Sequence, residues 1–166
     1  MTLLRVRDLG VQFGPKQQPI AAVADASFTV EPGEIVGVVG ESGSGKSTMC
    51  TALMRSLPET ARVSGHIEFD GQPLLELTPA QMRAIRGRDI AMILQDPMAS
   101  LNPVLTVGDQ VSEPLRFHLG ARRRPALAAA VGLLADVRIP APERRVQDYP
   151  HQLSGGMRQR VVGAIS

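Results

Sequence analysis

An α/β fold is predicted by three features of this chain. Ile35-Val36-Gly37-Val38-Val39 is a short apolar, β-branched run of the kind found in strands buried on both faces. A glycine-rich loop, Gly40 to Ser47, follows it at once, and helical character sets in beyond the loop. From Thr106 onward the pattern is mainly helical, whereas the first 70 residues are rich in strand and turn signals. At 166 residues the chain has the length of one average domain, and 43% hydrophobic with 20% charged residues suits a packed globular chain.

In order along the chain, the apolar positions Leu4, Val6, Val11 and Phe13 predict a first strand, and Ala21 to Val30 a second. The turn-rich Gly14-Pro15-Lys16-Gln17-Gln18-Pro19 separates them. Glu31-Pro32-Gly33-Glu34 is a turn into the buried strand Ile35 to Val39. A helix is expected from Lys46 to Leu57, stopping before Pro58. Gly65 to Phe69 leads into an Asp70-Gly71 hairpin turn. Thr78-Pro79 opens a helix as N-cap and first-turn proline, running to about Arg86. Ile90 to Leu94 reads as another buried strand. Helices follow over Val107 to about His118 and Pro125 to about Val137, with Arg122-Arg123-Arg124 between them as a solvated approach.

Composition narrows the function classes. The balance of 18 basic and 16 acidic residues, a formal +2, is too small to imply nucleic-acid binding by bulk electrostatics. Cys50, the one cysteine, has no internal disulfide partner and is expected to be a small packed residue. The first residues lack the apolar stretch of a secretory signal, and no segment reaches the roughly 18 apolar residues of a membrane span. A cytoplasmic chain is the expectation.

The chemistry lies in Gly40-Glu41-Ser42-Gly43-Ser44-Gly45-Lys46-Ser47, which fits G-x-x-x-x-G-K-[ST] between a predicted buried strand and a predicted helix. Glycines let successive backbone N–H groups curl around phosphates, and the helix N-terminus adds partial positive charge. Lys46 is then placed to reach the β- and γ-phosphates, and Ser47 to put its hydroxyl on Mg²⁺. A second glycine-bearing helix start, Leu153-Ser154-Gly155-Gly156-Met157-Arg158-Gln159-Arg160, follows Tyr149-Pro150-His151-Gln152. There Ser154 is free to cap the helix and to donate to a phosphate oxygen. Taken alone it is better read as a helix-capping turn.

With that motif the sequence resembles the ATP-binding subunits of ABC transporters, whose signature is L-S-G-G-Q or a close variant. Met157 as the fifth residue is similar to the branch serving dipeptide, oligopeptide and nickel importers. Met92-Ile93-Leu94-Gln95-Asp96-Pro97-Met98-Ala99-Ser100-Leu101-Asn102-Pro103 is similar to that branch's Q-loop region, and the likeness covers essentially the whole chain. It implies a P-loop NTPase of ABC type, with a RecA-like core, an antiparallel β subdomain and an α-helical subdomain, truncated in the signature helix. The divisions it implies are 1–97, 98–153 and 154–166.

The resemblance implies that Gln95 ligates Mg²⁺ and senses the γ-phosphate, and that Phe13 stacks on adenine, although a strand phenylalanine is also an ordinary core residue. ATP and Mg²⁺ are the implied cofactors, with Gly40, Ser42, Gly43, Ser44, Gly45, Lys46, Ser47 and Thr48 around the phosphates. Ser154, Gly155 and Gly156 are implied to contact ATP held by the opposite subunit of a head-to-tail homo- or heterodimer. Further implied partners are transmembrane permease subunits and, indirectly, an external solute-binding protein, at the inner face of the cell membrane. Dipeptides, oligopeptides, glutathione-like peptides and nickel are all open as solutes.

The acidic residue that such an ATPase needs at the end of an apolar strand has three imitations here. Asp70 sits in a hairpin turn, Asp96 in the Q-loop region, and Asp136 in helical periodicity before Val137 rather than glutamate. The family's own metal-binding strand, catalytic glutamate and switch histidine follow the signature helix, so they are expected to be missing before Ser166, and hydrolysis with them. The sheet would then leave Ile35 to Val39 incompletely flanked, lowering stability. His151 precedes the signature and is expected to cap or pack; Arg138 stands in Val137-Arg138-Ile139-Pro140 where the branch has glycine. Other readings are a non-hydrolysing nucleotide-binding chain, a small P-loop kinase using Asp96 or Asp136, and a non-transport ABC ATPase.

Overall fold

The structure is a computed structural model describing residues 2–94 and 100–166. The chain divides into two compact units, Met1–Arg83 and Ala84–Ser166.

The first unit is built on an antiparallel sheet of β1 (Leu4–Phe13), β2 (Ile20–Val30), β3 (Arg62–Phe69) and β4 (Gln72–Pro73), in the order β2-β1-β3-β4. Leu4 and Val6 have one parity in the sequence and Val11 and Phe13 the other, so a regular strand would send them to opposite faces. The structure resolves this with a bulge. Pairing of β1 shifts register on both sides between Val6 and Gly10, with Asp8 in the left-handed region at φ 50°, and Val6, Leu9 and Val11 are all buried. Across from the bulge stands Gly65 at φ 92°, where a Cβ would run into the carbonyl oxygens of Arg7 and Asp8.

Helix α1 (Lys46–Leu53) packs on β1 and β2 and buries Met49 and Ala52. It ends four residues before the predicted Leu57. Arg55 at φ 48° closes it as a Schellman motif, with Arg55 N–H on Ala52 O and Ser56 N–H on Thr51 O. The Arg55 guanidinium fixes that ending by donating to the carbonyls of Leu74 and Leu77, at 2.8 and 2.6 Å. The hairpin turn falls on Asp70 and Gly71, at φ 46° and 75°, so Asp70 is a turn residue. Beyond the 3₁₀ turn Leu74–Glu76, Thr78 caps α2 (Pro79–Ile85) in a reciprocal box with Gln81.

Three expectations fail. Ile35 to Val39 forms no strand: Ile35 is 97% and Val39 92% exposed, and the segment makes no backbone hydrogen bond among the described residues. A doubly buried parallel strand needs a neighbour on each edge and cover on both faces, and no described strand pairs with it. Ile90 to Leu94 fails for the same reason; Ile90 makes one isolated bridge with Arg86, while Ile93 and Leu94 are exposed. Cys50 is exposed rather than packed, because α1 turns Met49 and not Cys50 toward the sheet.

The second unit is helical: α3 (Val107–Leu119), α4 (Arg123–Asp136), α5 (Pro142–Arg145), a 3₁₀ turn Pro150–Gln152, and α6 (Gly155–Ile165). Its core contains Leu101, Val107 and Val111 with Ala130, Leu134, Ile139, Leu153, Val161 and Val162, paired at i, i+4 along α3 and α4. Thr106 caps α3 by accepting from Asp109 N–H at 3.1 Å, and its hydroxyl donates to the Asp109 carboxylate at 2.9 Å. Gly108 N–H donates to Val146 O at 2.9 Å, an approach a Cβ would block. Buried Gln110 is satisfied by Asn102 and Leu105 backbone groups. Asp136 is the last residue of α4, and Arg138 lies just beyond at φ 58°.

Candidate phosphate-binding loop and signature helix

The loop 40–47 wraps around the amino end of α1. Gly45, at φ 90°, sits so close to the Ala22 carbonyl of β2 that no Cβ could be placed there. The other loop glycine with a positive φ, Gly43 at 82°, has nothing within 4 Å of where a Cβ would stand, leaving the loop's mouth open. Of the loop amides, Ser44 N–H is committed to Glu41 O at 3.2 Å. Those of Gly43, Gly45, Lys46 and Ser47 have no backbone acceptor among the described residues. Unpaired N–H groups at a helix N-terminus form an anion cradle, reinforced by the helix dipole.

Lys46 currently answers its own loop. Its ammonium donates to Gly40 O at 2.8 Å, Glu41 O at 2.6 Å and Ser44 Oγ at 3.3 Å. The hydroxyls of Ser47 and Thr48 make no hydrogen bond among the described residues, so Ser47 is available to a metal ion. Beside the loop, a shallow depression is lined by Ala22 and Ala24 of β2 with Val39, Lys46 and Met49. Amide donors, one cation and a free hydroxyl fit a nucleotide polyphosphate with its divalent ion. Among the described residues no cluster of three His, Cys, Asp or Glu side chains could hold a metal. Phe13 pairs with Ile20 at the hairpin end of the β1–β2 ladder, one pair beyond Ala21 of the depression's wall, and is not itself part of the lining. Gln95 and Asp96 lie outside the described residues.

In the second unit Ser154 caps α6, accepting from Met157 N–H at 3.3 Å. Ser154, Gly155 and Gly156 are exposed, and both glycines have open space where a Cβ would stand. The approach is held by Arg158, whose Nε donates to Pro150 O and Leu153 O at 2.7 and 3.0 Å, and by Gln152, which accepts from Tyr149 N–H at 2.7 Å. His151 is exposed and stacks on Tyr149 with ring centroids 5.7 Å apart. Two supports are not signalled by residue type, the Ala22 carbonyl and the Arg158 side chain. Their roles depend on which backbone group lies opposite them, and no residue type encodes that.

Residues 23–165 match the family described as ABC transporter. The chain belongs to that family. It is 48% identical, over 99% of its length and 50% of the relative's, to the "probable peptide ABC transporter ATP-binding protein" of Sinorhizobium fredii. It is 46% identical, over 100% of its length and 51% of the relative's, to the dipeptide transport ATP-binding protein of Escherichia coli. This ABC chain therefore spans about half the length of the curated relatives it matches. Among solved structures it is similar to a dimeric ATP-binding cassette in a post-hydrolysis state bound to ADP and Pi. That similarity has a TM-score of 0.83 at 27% identity, covering 98% of this chain and 68% of the other. Among the described residues no helix is long and apolar enough to cross a membrane.

Proposed function

We propose that this chain is the nucleotide-binding part of an ATP-binding subunit that couples MgATP to solute uptake. The observation that carries the reading is the ring of open amides at the start of α1 with the Lys46 ammonium inside it. The backbone of Gly40, Ser42, Gly43, Ser44 and Gly45 and the side chain of Lys46 hold the phosphates. Ser47 offers its hydroxyl to Mg²⁺, with Thr48 beside it on the first turn. The ion neutralises phosphate charge and fixes the phosphate geometry. Gln95 serves the metal and the γ-phosphate, and Phe13 meets the base. Ser154, Gly155 and Gly156, open to solvent, face the nucleotide of a second ATP-binding subunit in a head-to-tail dimer.

Permease subunits at the inner face of the cell membrane are the further partners, and the names of the relatives favour a peptide as solute. The divisions 1–97, 98–153 and 154–166 are the β subdomain with the first part of the P-loop core, the helical subdomain, and the start of the signature helix. Of the three acidic imitations, Asp70 and Asp136 are spent on a turn and a helix end and Asp96 lies outside the described residues, and nucleotide binding without turnover is the reading proposed for this stretch of chain. Titration with MgATP is expected to show weak saturable binding, lowered at least about tenfold by Lys46→Ala, and phosphate release at the buffer rate. Phosphate release abolished by Lys46→Ala would overturn the non-hydrolysing reading; unchanged affinity in that variant would overturn the loop assignment.

A further inference from the structure

The tip of the α3–α4 hairpin carries a surface that the phosphate loop does not use. Phe117 is 69% and Leu119 68% exposed at the end of α3, Gly120 turns the chain at φ 64°, and Arg122, Arg123 and Arg124 open α4. Arg123 reaches back to Asp109 at 3.1 Å and shares a depression with Arg116 and Phe117, so the two arms present one surface. The side chains of Arg116, Arg122 and Arg124 are exposed and make no hydrogen bond or ion pair among the described residues. Four arginines stand against Asp109 and Glu113, leaving the tip cationic. No acidic residue occupies the first turn of α4 to oppose them.

We propose that this tip lies on an anionic phospholipid surface. Charge complementarity selects the occupant: the exposed guanidiniums of Arg122 and Arg124 suit lipid phosphates, while the exposed Phe117 and Leu119 at the end of α3 enter the acyl boundary. The assignment is independent of nucleotide binding.

Co-sedimentation with vesicles tests it, comparing phosphatidylcholine alone with equal parts phosphatidylcholine and phosphatidylglycerol. The chain is expected to bind the mixed vesicles and not the neutral ones, with affinity falling as salt rises. Arg122→Gln with Arg124→Gln is expected to weaken binding about thirtyfold, and Phe117→Ser with Leu119→Ser about tenfold. Both variants change exposed side chains, so their thermal melts should match the parent, and Lys46→Ala should bind vesicles as the parent does. Equal binding to both vesicle types, or unchanged binding by the arginine variant, would overturn the proposal. Tighter binding to soluble polyglutamate than to mixed vesicles would overturn it too, by assigning the tip to an acidic protein surface.

Discussion

Among the described residues six non-glycines hold positive φ, and Arg138 is the one the resemblance singles out, since it implies a glycine at that position. A side chain in the left-handed region costs about 1–2 kcal/mol, against roughly 0.5–1 kcal/mol for the extra chain entropy of glycine. Arg138→Gly should therefore stabilise the chain by about 0.5–1 kcal/mol, read as a higher urea midpoint at unchanged slope. The native backbone survives the change, because it is the Arg138 carbonyl that accepts from Arg160, at 3.0 Å. Asp8 at φ 50° is different, since its bulge brings Leu9 and Val11 onto the face that Val6 uses. Leu4, Val6, Val11 and Phe13 predict the strand without a bulge, although their change of parity is the trace the bulge leaves in the sequence.

Helix α3 depends on its first turn. The Thr106 hydroxyl bond, opposed by burial and reinforced by the Arg123 guanidinium and the charge of Arg116, holds the Asp109 carboxyl below its ordinary value. A depressed folded value stabilises the helix above the ordinary carboxylate range and loses that contribution as acid protonates the group. Unfolding of the helical unit should thus grow easier from about pH 4 downward. Thr106→Ala removes the cap and half of this arrangement and should cost about 1 kcal/mol, with a shallower acid limb in circular dichroism melts. Elements of this kind were legible because caps and turn residues act within four positions of themselves: Thr78 and Ser154 cap where expected, and Thr106 caps the helix whose pattern begins at it. Ile35–Val39 and Ile90–Leu94 were not, since a buried parallel strand is specified by its neighbours and not by its own residues. The loop motif and the signature were legible as residues, while the ties that place them, Ala22 O on Gly45 and Arg158 on Pro150 and Leu153, depend on the folded path.

For the whole molecule, the exposed run Ile35-Val36-Gly37-Val38-Val39 is the principal departure from a packed globule. Such a segment, apolar and uncharged, binds hydrophobic dyes and other chains. Ile35→Ser with Val39→Ser should lower dye fluorescence and slow aggregation while leaving the melting temperature within a degree or so, since neither side chain is packed. A fall of several degrees would show that the run is buried in solution. The same segment bears on the loop that follows it. The carboxyl side of the loop is anchored by Gly45 on β2 and by α1, but its amino side runs on from a stretch with no backbone hydrogen bonds, tied by the Lys46 ammonium to Gly40 and Glu41. A phosphate that draws that ammonium away releases the tie as it binds. The cradle is preorganised at one end only, and the ordering entropy of the other end falls on the ligand.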